Sequence, residues 1–331
     1  MTIRLCKIAS GFCLMALCCA ALAESSLLIQ ARNLFGQIEA ANPSAIDDPV
    51  VRLGQQLFWD KRTSANAEVA CASCHLADEG SSDARVRSLT AKGTLTARHS
   101  QPVFNAVGQV GLRWTGDRPD AAAQARGSLT GSMGFASDEK AMEKLQELGY
   151  EPLFRVAFPE DEQPLTPQRY GEAIAAYEKT LTTPAPFDRF LGGEESALSP
   201  EQKNGLQEFM AVGCSACHNG ARLGGEMLQK FGIYGNYWQL TNSETIDKGR
   251  FENTGKAGDE YVFRVPMLRN IVATAPYFHD GSVVSLEDAV AIMAELQLGK
   301  TLEAQSVKSI VTFLQSLSGE VPEHYKAPDL P

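Results

Sequence analysis

Four cysteines and two histidines carry the most specific chemistry in this sequence. They stand as Cys71-Ala72-Ser73-Cys74-His75 and Cys214-Ser215-Ala216-Cys217-His218. C-x-x-C-H is the spacing of covalent haem attachment. Two thiols about one helical turn apart add to the haem vinyl groups, and the next residue brings its imidazole beneath the iron. A redox C-x-x-C needs no histidine after it. A zinc site would have to gather four ligands from two distant stretches of chain. Two full copies favour two haem c groups over either alternative. Cys71, Cys74, Cys214 and Cys217 are then the attachment thiols, His75 the ligand of the first iron and His218 that of the second.

The other four cysteines lie in the first 19 residues. Arg4 and Lys7 precede an apolar run from Ile8 to Ala20, and Ala21-Leu22-Ala23 fits a small-x-small cleavage site. This reads as an export signal, residues 1–23, cleaved near Ala23, which leaves no membrane span and places the chain in the periplasm. Haem attachment outside the cytoplasm agrees with it. Loss of Arg4 and Lys7 takes the formal net charge from −10 to −12. Such an acidic surface argues against nucleic acid and favours a basic partner.

The elements that must position these groups read as helices. Leu27, Leu28, Ala31, Leu34, Phe35 and Ile38 recur on one face. Thr166-Pro167 opens a second helix, with Tyr170, Ile174, Tyr177 and Leu181 inward. Ser199-Pro200-Glu201-Gln202 is an N-cap with proline at N1 and a capping-box glutamine, and Gly213 stops that helix just before the second cysteine motif. Ser285 caps a further helix that Gly299 ends, and Val307 to Leu317 form the last. Thr182-Thr183-Pro184-Ala185-Pro186, continuing to Gly192-Gly193, reads as a linker. The expected fold is mainly α: two cytochrome c-like helical haem domains with long connecting loops, residues 24–185 and 186–331.

A haem site is defined by what faces its histidine. Met opposite His closes the iron for electron transfer, whereas an open position admits peroxide or oxygen. Met293 lies on the apolar face of the Ser285-capped helix, which suits either a ligand or a core residue.

From about Leu53 to Leu330 the chain resembles the bacterial dihaem cytochrome c peroxidases and their MauG-like relatives. The likeness rests on Ala173 to Leu181, Phe187-Asp188-Arg189, Gly213 to Gly220, Phe263 to Asn270, and above all Thr274-Ala275-Pro276-Tyr277-Phe278-His279-Asp280-Gly281. In the family a Met ligand of the second haem follows this histidine by fourteen residues, the place of Met293; MauG-type relatives carry Tyr there. The resemblance also implies that Trp114 stands between the haems and that Gln124 lies over the peroxidatic iron. It implies a calcium ion between the domains, held by carbonyls at Thr274 and Pro276 and by an Asn side chain. His99 occupies the Asn position, and imidazole is a poor calcium ligand.

The likeness weakens at the first haem. The family's distal His falls at Ala91, and its distal Glu falls at Ser132. Loss of the His leaves the iron open without an activation step. Loss of the Glu removes general acid–base help worth about a hundredfold to ten-thousandfold. His99 and Met133 are the nearby residues able to replace them, and each also reads as an ordinary interior residue. His279 is expected to orient the second haem, and His324 has no assigned role. The implied activity is peroxide reduction with electrons from a small cytochrome c or cupredoxin. A dihaem oxidase that modifies a partner protein and a dihaem electron carrier or sensor are the alternatives. Relatives often form homodimers.

Overall fold

The computed structural model describes residues 25–331. The export signal, residues 1–23, lies outside the described residues. The helices are α1 (Ser26–Leu34), α2 (Pro49–Trp59), α3 (Ala121–Ser128), α4 (Asp138–Glu147), α5 (Glu151–Ala157) and α6 (Pro167–Lys179). They continue with α7 (Pro186–Leu191), α8 (Pro200–Val212), the single turns α9 (Tyr237–Leu240) and α10 (Phe251–Thr254), α11 (Leu286–Leu298) and α12 (Ala304–Gln315). Strands β1 (Leu228–Lys230) and β2 (Val262–Arg264) pair antiparallel. The mainly helical fold expected from the sequence is the fold observed. No helix among the described residues is long and apolar enough to cross a membrane.

The helix ends follow local chemistry. Ser199 Oγ accepts from Gln202 N–H at 3.2 Å and Gln202 Oε1 accepts from Ser199 N–H at 3.0 Å, so two otherwise orphaned amides of α8 are satisfied. Gly213, at φ 110°, ends α8 in the left-handed conformation and delivers the chain directly into Cys214. Thr166 caps α6 and Ser285 caps α11 through their hydroxyls, which accept from the amides of Arg169 and Asp288.

Two main apolar clusters form. The first joins Leu57 and Phe58 of α2, Ala125 of α3, Leu145 of α4, Phe154 of α5 and Tyr170, Ile174 and Tyr177 of α6. The second joins Phe187 and Phe190 of α7, Leu206 and Phe209 of α8 and Ile310, Phe313 and Leu314 of α12. The chain ends are exchanged between them. Leu28, Ala31 and Phe35, from α1 and its C-cap, are buried in the second cluster, where Phe35 meets Phe187 edge-on at 5.5 Å. Tyr325, near the C-terminus, is buried in the first, 4.7 Å from Phe104. A nine-residue helix such as α1 has too little intrinsic stability to stand alone. Its docking site, and not its place in sequence, decides which half it joins.

The Thr182–Pro186 stretch does pass between the clusters, but it is not a loose linker. Thr183 is fully buried. Its hydroxyl accepts from Asn105 Nδ2 at 2.7 Å and from Asn270 Nδ2 at 2.9 Å, and its N–H donates to Asn105 Oδ1 at 2.9 Å. Side chains from both halves therefore fix the crossing strand. Within the second half, the buried pair Arg269–Asp188, bidentate at 2.7 and 2.8 Å, fixes α7. Asp188 also accepts from the amides of Ile38 and Ala185, at 2.6 and 2.8 Å.

Helices α8 and α12 touch backbone to backbone. A methyl group at Gly205 would stand 2.0 Å from the carbonyl oxygen of Ser309. Gly54 on α2 does the same for α6, 1.9 Å from the carbonyl of Ala173. Gly205→Ala must push α8 off α12, and the expected cost is about 1–3 kcal/mol. Urea unfolding followed by circular dichroism measures it; an unchanged midpoint would mean that the helices tolerate a wider spacing.

Candidate functional site

Both cysteine motifs form a single 3-10 turn, with Cys74 N–H donating to Cys71 O at 3.1 Å and Cys217 N–H to Cys214 O at 3.2 Å. Each turn presents two free thiols and then the histidine. The four cysteines do not converge: no group of three or more His, Cys, Asp or Glu among the described residues could hold a metal ion. The zinc alternative falls on that point.

The two histidines are held alike. His75 Nδ1 lies 3.0 Å from Ser81 O and His218 Nδ1 lies 3.1 Å from Leu223 O. A carbonyl can only accept, so Nδ1 carries the proton and Nε2 keeps its lone pair for a metal. Burial pushes both pKa values down and favours the neutral ring that a metal requires. Both acceptor carbonyls come from residues in the left-handed region, Ser81 at φ 63° and Leu223 at φ 50°. Left-handed backbone at a residue other than glycine costs of order 1–3 kcal/mol. Ser81 offsets its share: its hydroxyl accepts from the amides of Val103 and Phe104 at 3.0 and 2.8 Å. Leu223 is fully buried.

The second motif opens on a deep, mostly apolar crevice. Cys214, Cys217, His218, Met293 and Trp114 all line it, with Leu286, Val290 and Leu314 among the apolar walls. Two polar groups in it are incompletely paired. Arg264 on β2 is 2% exposed, bonds only to Gln109 Oε1 and the Arg113 carbonyl, and is pushed down to about 10 by burial. His279 Nε2 is buried with no hydrogen-bond partner, 3.7 Å from an Asp247 carboxylate that Arg98 already holds. A large apolar group bearing carboxylates, attached through two thiols and held by an imidazole, fits all of this; haem c is such a group.

The first motif sits against the first cluster. Phe58 stacks 6.2 Å from the His75 ring, and Tyr325 donates its hydroxyl to the His75 carbonyl. Ala91 and Ser132, the positions where the sequence departs from its relatives, are brought together: Ala91 N–H donates to Ser132 O at 2.8 Å. Lys92 Nζ reinforces this contact by donating to Thr130 O at 2.9 Å. Gln124 lies half-buried on α3. Met133 is packed in the apolar cluster at 1% exposure. His324 Nε2 is bonded to Thr180 Oγ1 at 2.8 Å.

His99 is buried, with Nδ1 2.8 Å from Arg85 O and Nε2 3.4 Å from Ser82 Oγ. Burial pushes its pKa down, against the opposing pull of the Arg85 carbonyl, Asp83 and the Thr274 carbonyl. Its backbone is as engaged as its ring. His99 N–H donates to His279 O at 2.8 Å, and Trp114 Nε1–H donates to His99 O at 2.9 Å. The next residue, Ser100, donates its hydroxyl to Cys74 O at 2.9 Å. The first motif and the Trp114 indole are thus linked through three consecutive residues, Arg98 to Ser100, that Arg98 clamps to Asp247 at 2.6 and 2.8 Å. Thr274 and Pro276 line the same crevice as His99.

Sequence reasoning missed Ser81, Leu223, Arg264 and Glu178. Glu178 is on α6 with no side-chain hydrogen bond, and its carboxyl is pushed up to about 8 by burial. The glycines beside Ser81 and Leu223 were the available signal for left-handed turns. Arg264 was quoted in a matching stretch without a role.

The family described as di-haem cytochrome c peroxidase matches residues 48–196. Cytochrome c551 peroxidase of Pseudomonas aeruginosa is 41% identical over 294 residues, covering 86% of this chain and 83% of that protein. Cytochrome c551 peroxidase of Nitrosomonas europaea is 34% identical over 321 residues, covering 96% and 93%. Among solved structures, a MauG-like protein associated with microbial copper homeostasis superimposes with a TM-score of 0.72 at 23% identity, covering 88% of this chain and 97% of that one.

Ser81→Ala removes the acceptor of two buried amides while keeping the carbonyl that holds His75. The expected loss is about 1–3 kcal/mol. It should show in denaturant unfolding of the purified variant, with the absorption of the second site unaltered. Unchanged stability would contradict the bonding described.

Proposed function

The chain belongs to the di-haem cytochrome c peroxidase family, and from that premise we propose that it reduces hydrogen peroxide to water with electrons from a small cytochrome c or cupredoxin. Peroxide takes up two electrons and two protons and leaves as two waters. Bound haem c supplies one-electron chemistry at its iron. Residues 1–23 direct the chain to the periplasm, where such donors and haem attachment are found.

The observation that carries this reading is the inequality of the two sites. At the second, His218 and Met293 line one crevice and would together hold the iron. At the first, none of the described residues is assigned opposite His75: Ala91 stands at the family's distal position, the His99 and His324 rings are bonded elsewhere, and Met133 is packed in the apolar cluster that Cys71 and Ala91 adjoin. The first site therefore receives peroxide and the second receives electrons. Trp114, fixed by its bond to the His99 carbonyl, carries them between the two. Gln124 on α3 orients peroxide through its amide. With Ser132 in place of a carboxylic acid, water takes over proton delivery, and turnover is slow for the family.

His99 takes the place of the interdomain calcium. Its ring bonds the Arg85 carbonyl and lies beside the Thr274 carbonyl, one of the two that the resemblance assigns to calcium. A second reading, in which a partner protein's own side chain supplies the electrons, is favoured by the missing acid and opposed by Met293.

In a test with reduced cytochrome c, added peroxide should drive its oxidation. Gln124→Ala should slow turnover by roughly ten- to a hundredfold, the scale of a lost transition-state hydrogen bond. EGTA should leave the rate unchanged. Turnover no faster than free haem would sink the peroxidase reading, and a loss in EGTA restored by calcium would sink the role given to His99. Peroxide consumption that proceeds only with a partner protein, leaving oxidised Trp or Tyr on it, would favour the second reading.

A further inference from the structure

A chain of aromatic side chains leads away from Trp114 by a path that avoids both cysteine motifs. Trp114 meets the His279 imidazole edge-on, 6.3 Å between ring centroids. The same imidazole meets Tyr237 at 5.1 Å. Tyr237 meets Trp238 at 5.2 Å, and Trp238 meets Tyr261 at 5.1 Å. Tyr237 and Tyr261 also touch directly, at 6.3 Å. Tyr237 is fully buried, whereas Trp238 and Tyr261 are half-buried and reach the surface. Phe231, stacked on Tyr237 at 5.0 Å, and Phe263 wall the path.

Tryptophan and tyrosine are the side chains that most readily give up one electron, and electron transfer falls steeply with distance. Rings in contact therefore make a conducting series. The proton chemistry gives this series a direction. The Tyr237 hydroxyl donates to the backbone carbonyl of Asp247 at 3.0 Å and accepts from its N–H at 2.8 Å. The nearby Asp247 carboxylate is held by Arg98. Tyr237 thus has no base to take its proton, so an oxidising equivalent there passes on. Trp238 and Tyr261 can lose theirs to water.

We propose a second electron route, from Trp238 and Tyr261 at the surface through Tyr237 to Trp114, that supplies peroxide reduction when no donor protein is docked. It rests on the peroxidase reading, which provides the oxidant. Trp238 and Tyr261 each lose one electron along the chain and one proton to water. Hydrogen peroxide gains two electrons and two protons and leaves as two waters. The oxidation is left on two surface side chains and spares the haem crevices.

The test treats the haem-loaded protein with peroxide, with and without reduced cytochrome c, and locates oxidised residues by peptide mass spectrometry. Without donor, Trp238 should gain oxygen and Tyr261 should gain oxygen or form tyrosine cross-links. Reduced donor should suppress both. Tyr234, 68% exposed but outside the chain of ring contacts, is the control and should stay unmodified. Tyr237→Phe keeps the ring and removes the easily oxidised phenol. It should lower modification of Trp238 and Tyr261 severalfold and leave donor-supported turnover unchanged. Trp238→Phe, at the half-buried end, should move the modification to Tyr261 through its direct contact with Tyr237. Equal modification of Tyr234, no modification at Trp238 and Tyr261, or an unchanged yield in both variants would overturn the route. Peroxide consumption in the same samples separates the two claims: consumption without labelling removes only this route, whereas no consumption removes the peroxidase reading with it.

Discussion

Everything functional in this protein depends on two hydrogen bonds from an imidazole Nδ1–H to a backbone carbonyl. His75 is held by Ser81 and His218 by Leu223. Each bond fixes the ring's tautomer and its direction, which decides where an iron can sit. In both halves the carbonyl is aimed by left-handed backbone at a residue that does not favour it. The surrounding fold must hold that conformation. Ser81 does so by capping two amides, and Leu223 by full burial.

The larger architecture keeps these two turns in a fixed relation. Close helix contacts at Gly54 and Gly205 make each half rigid. The crossing strand at Thr183 locks the halves together, and the Arg269–Asp188 pair fixes α7 within the second. Truncating one partner of such a buried pair is costly, about 3–5 kcal/mol, because the other charge is left unpaired. The exchanged chain ends add a further tie, since neither half is complete without the terminus of the other. Residues 98–100 then run from the first motif to the Trp114 indole inside this frame. A fixed donor-to-acceptor distance is what an electron relay needs, and the bonding around His99 holds this stretch in place.

Much of this was legible in the sequence. The two C-x-x-C-H motifs gave the cofactor class, because their spacing encodes covalent chemistry directly. The Ser199, Thr166 and Ser285 caps and the Gly213 and Gly299 stops gave the main helices to within a residue or two, because capping is local. What failed to show were features set by long-range packing. The docking of α1 on the second cluster, the burial of Thr183 and the insertion of Tyr325 depend on contacts that no local pattern encodes. Helices α2, α3, α4, α5 and α7 were missed; on α3, α5 and α7 too few residues lie to reveal a period. At the site, Met293 could be named because it follows a matching stretch at fixed spacing. Arg264 could not, because its role comes from lacking a carboxylate in three dimensions. Ala91 and Ser132 were visible as departures, but only the structure shows that they bond to one another.

The central claim is that the two irons are unequal by construction. On the proposed reading, His218 and Met293 would close the second, and His75 alone would hold the first, leaving it open without any activating step. An electron paramagnetic resonance spectrum of the fully oxidised protein tests this most directly. The account predicts one high-spin and one low-spin ferric signal in equal amounts. Two low-spin signals, with no high-spin component, would contradict it.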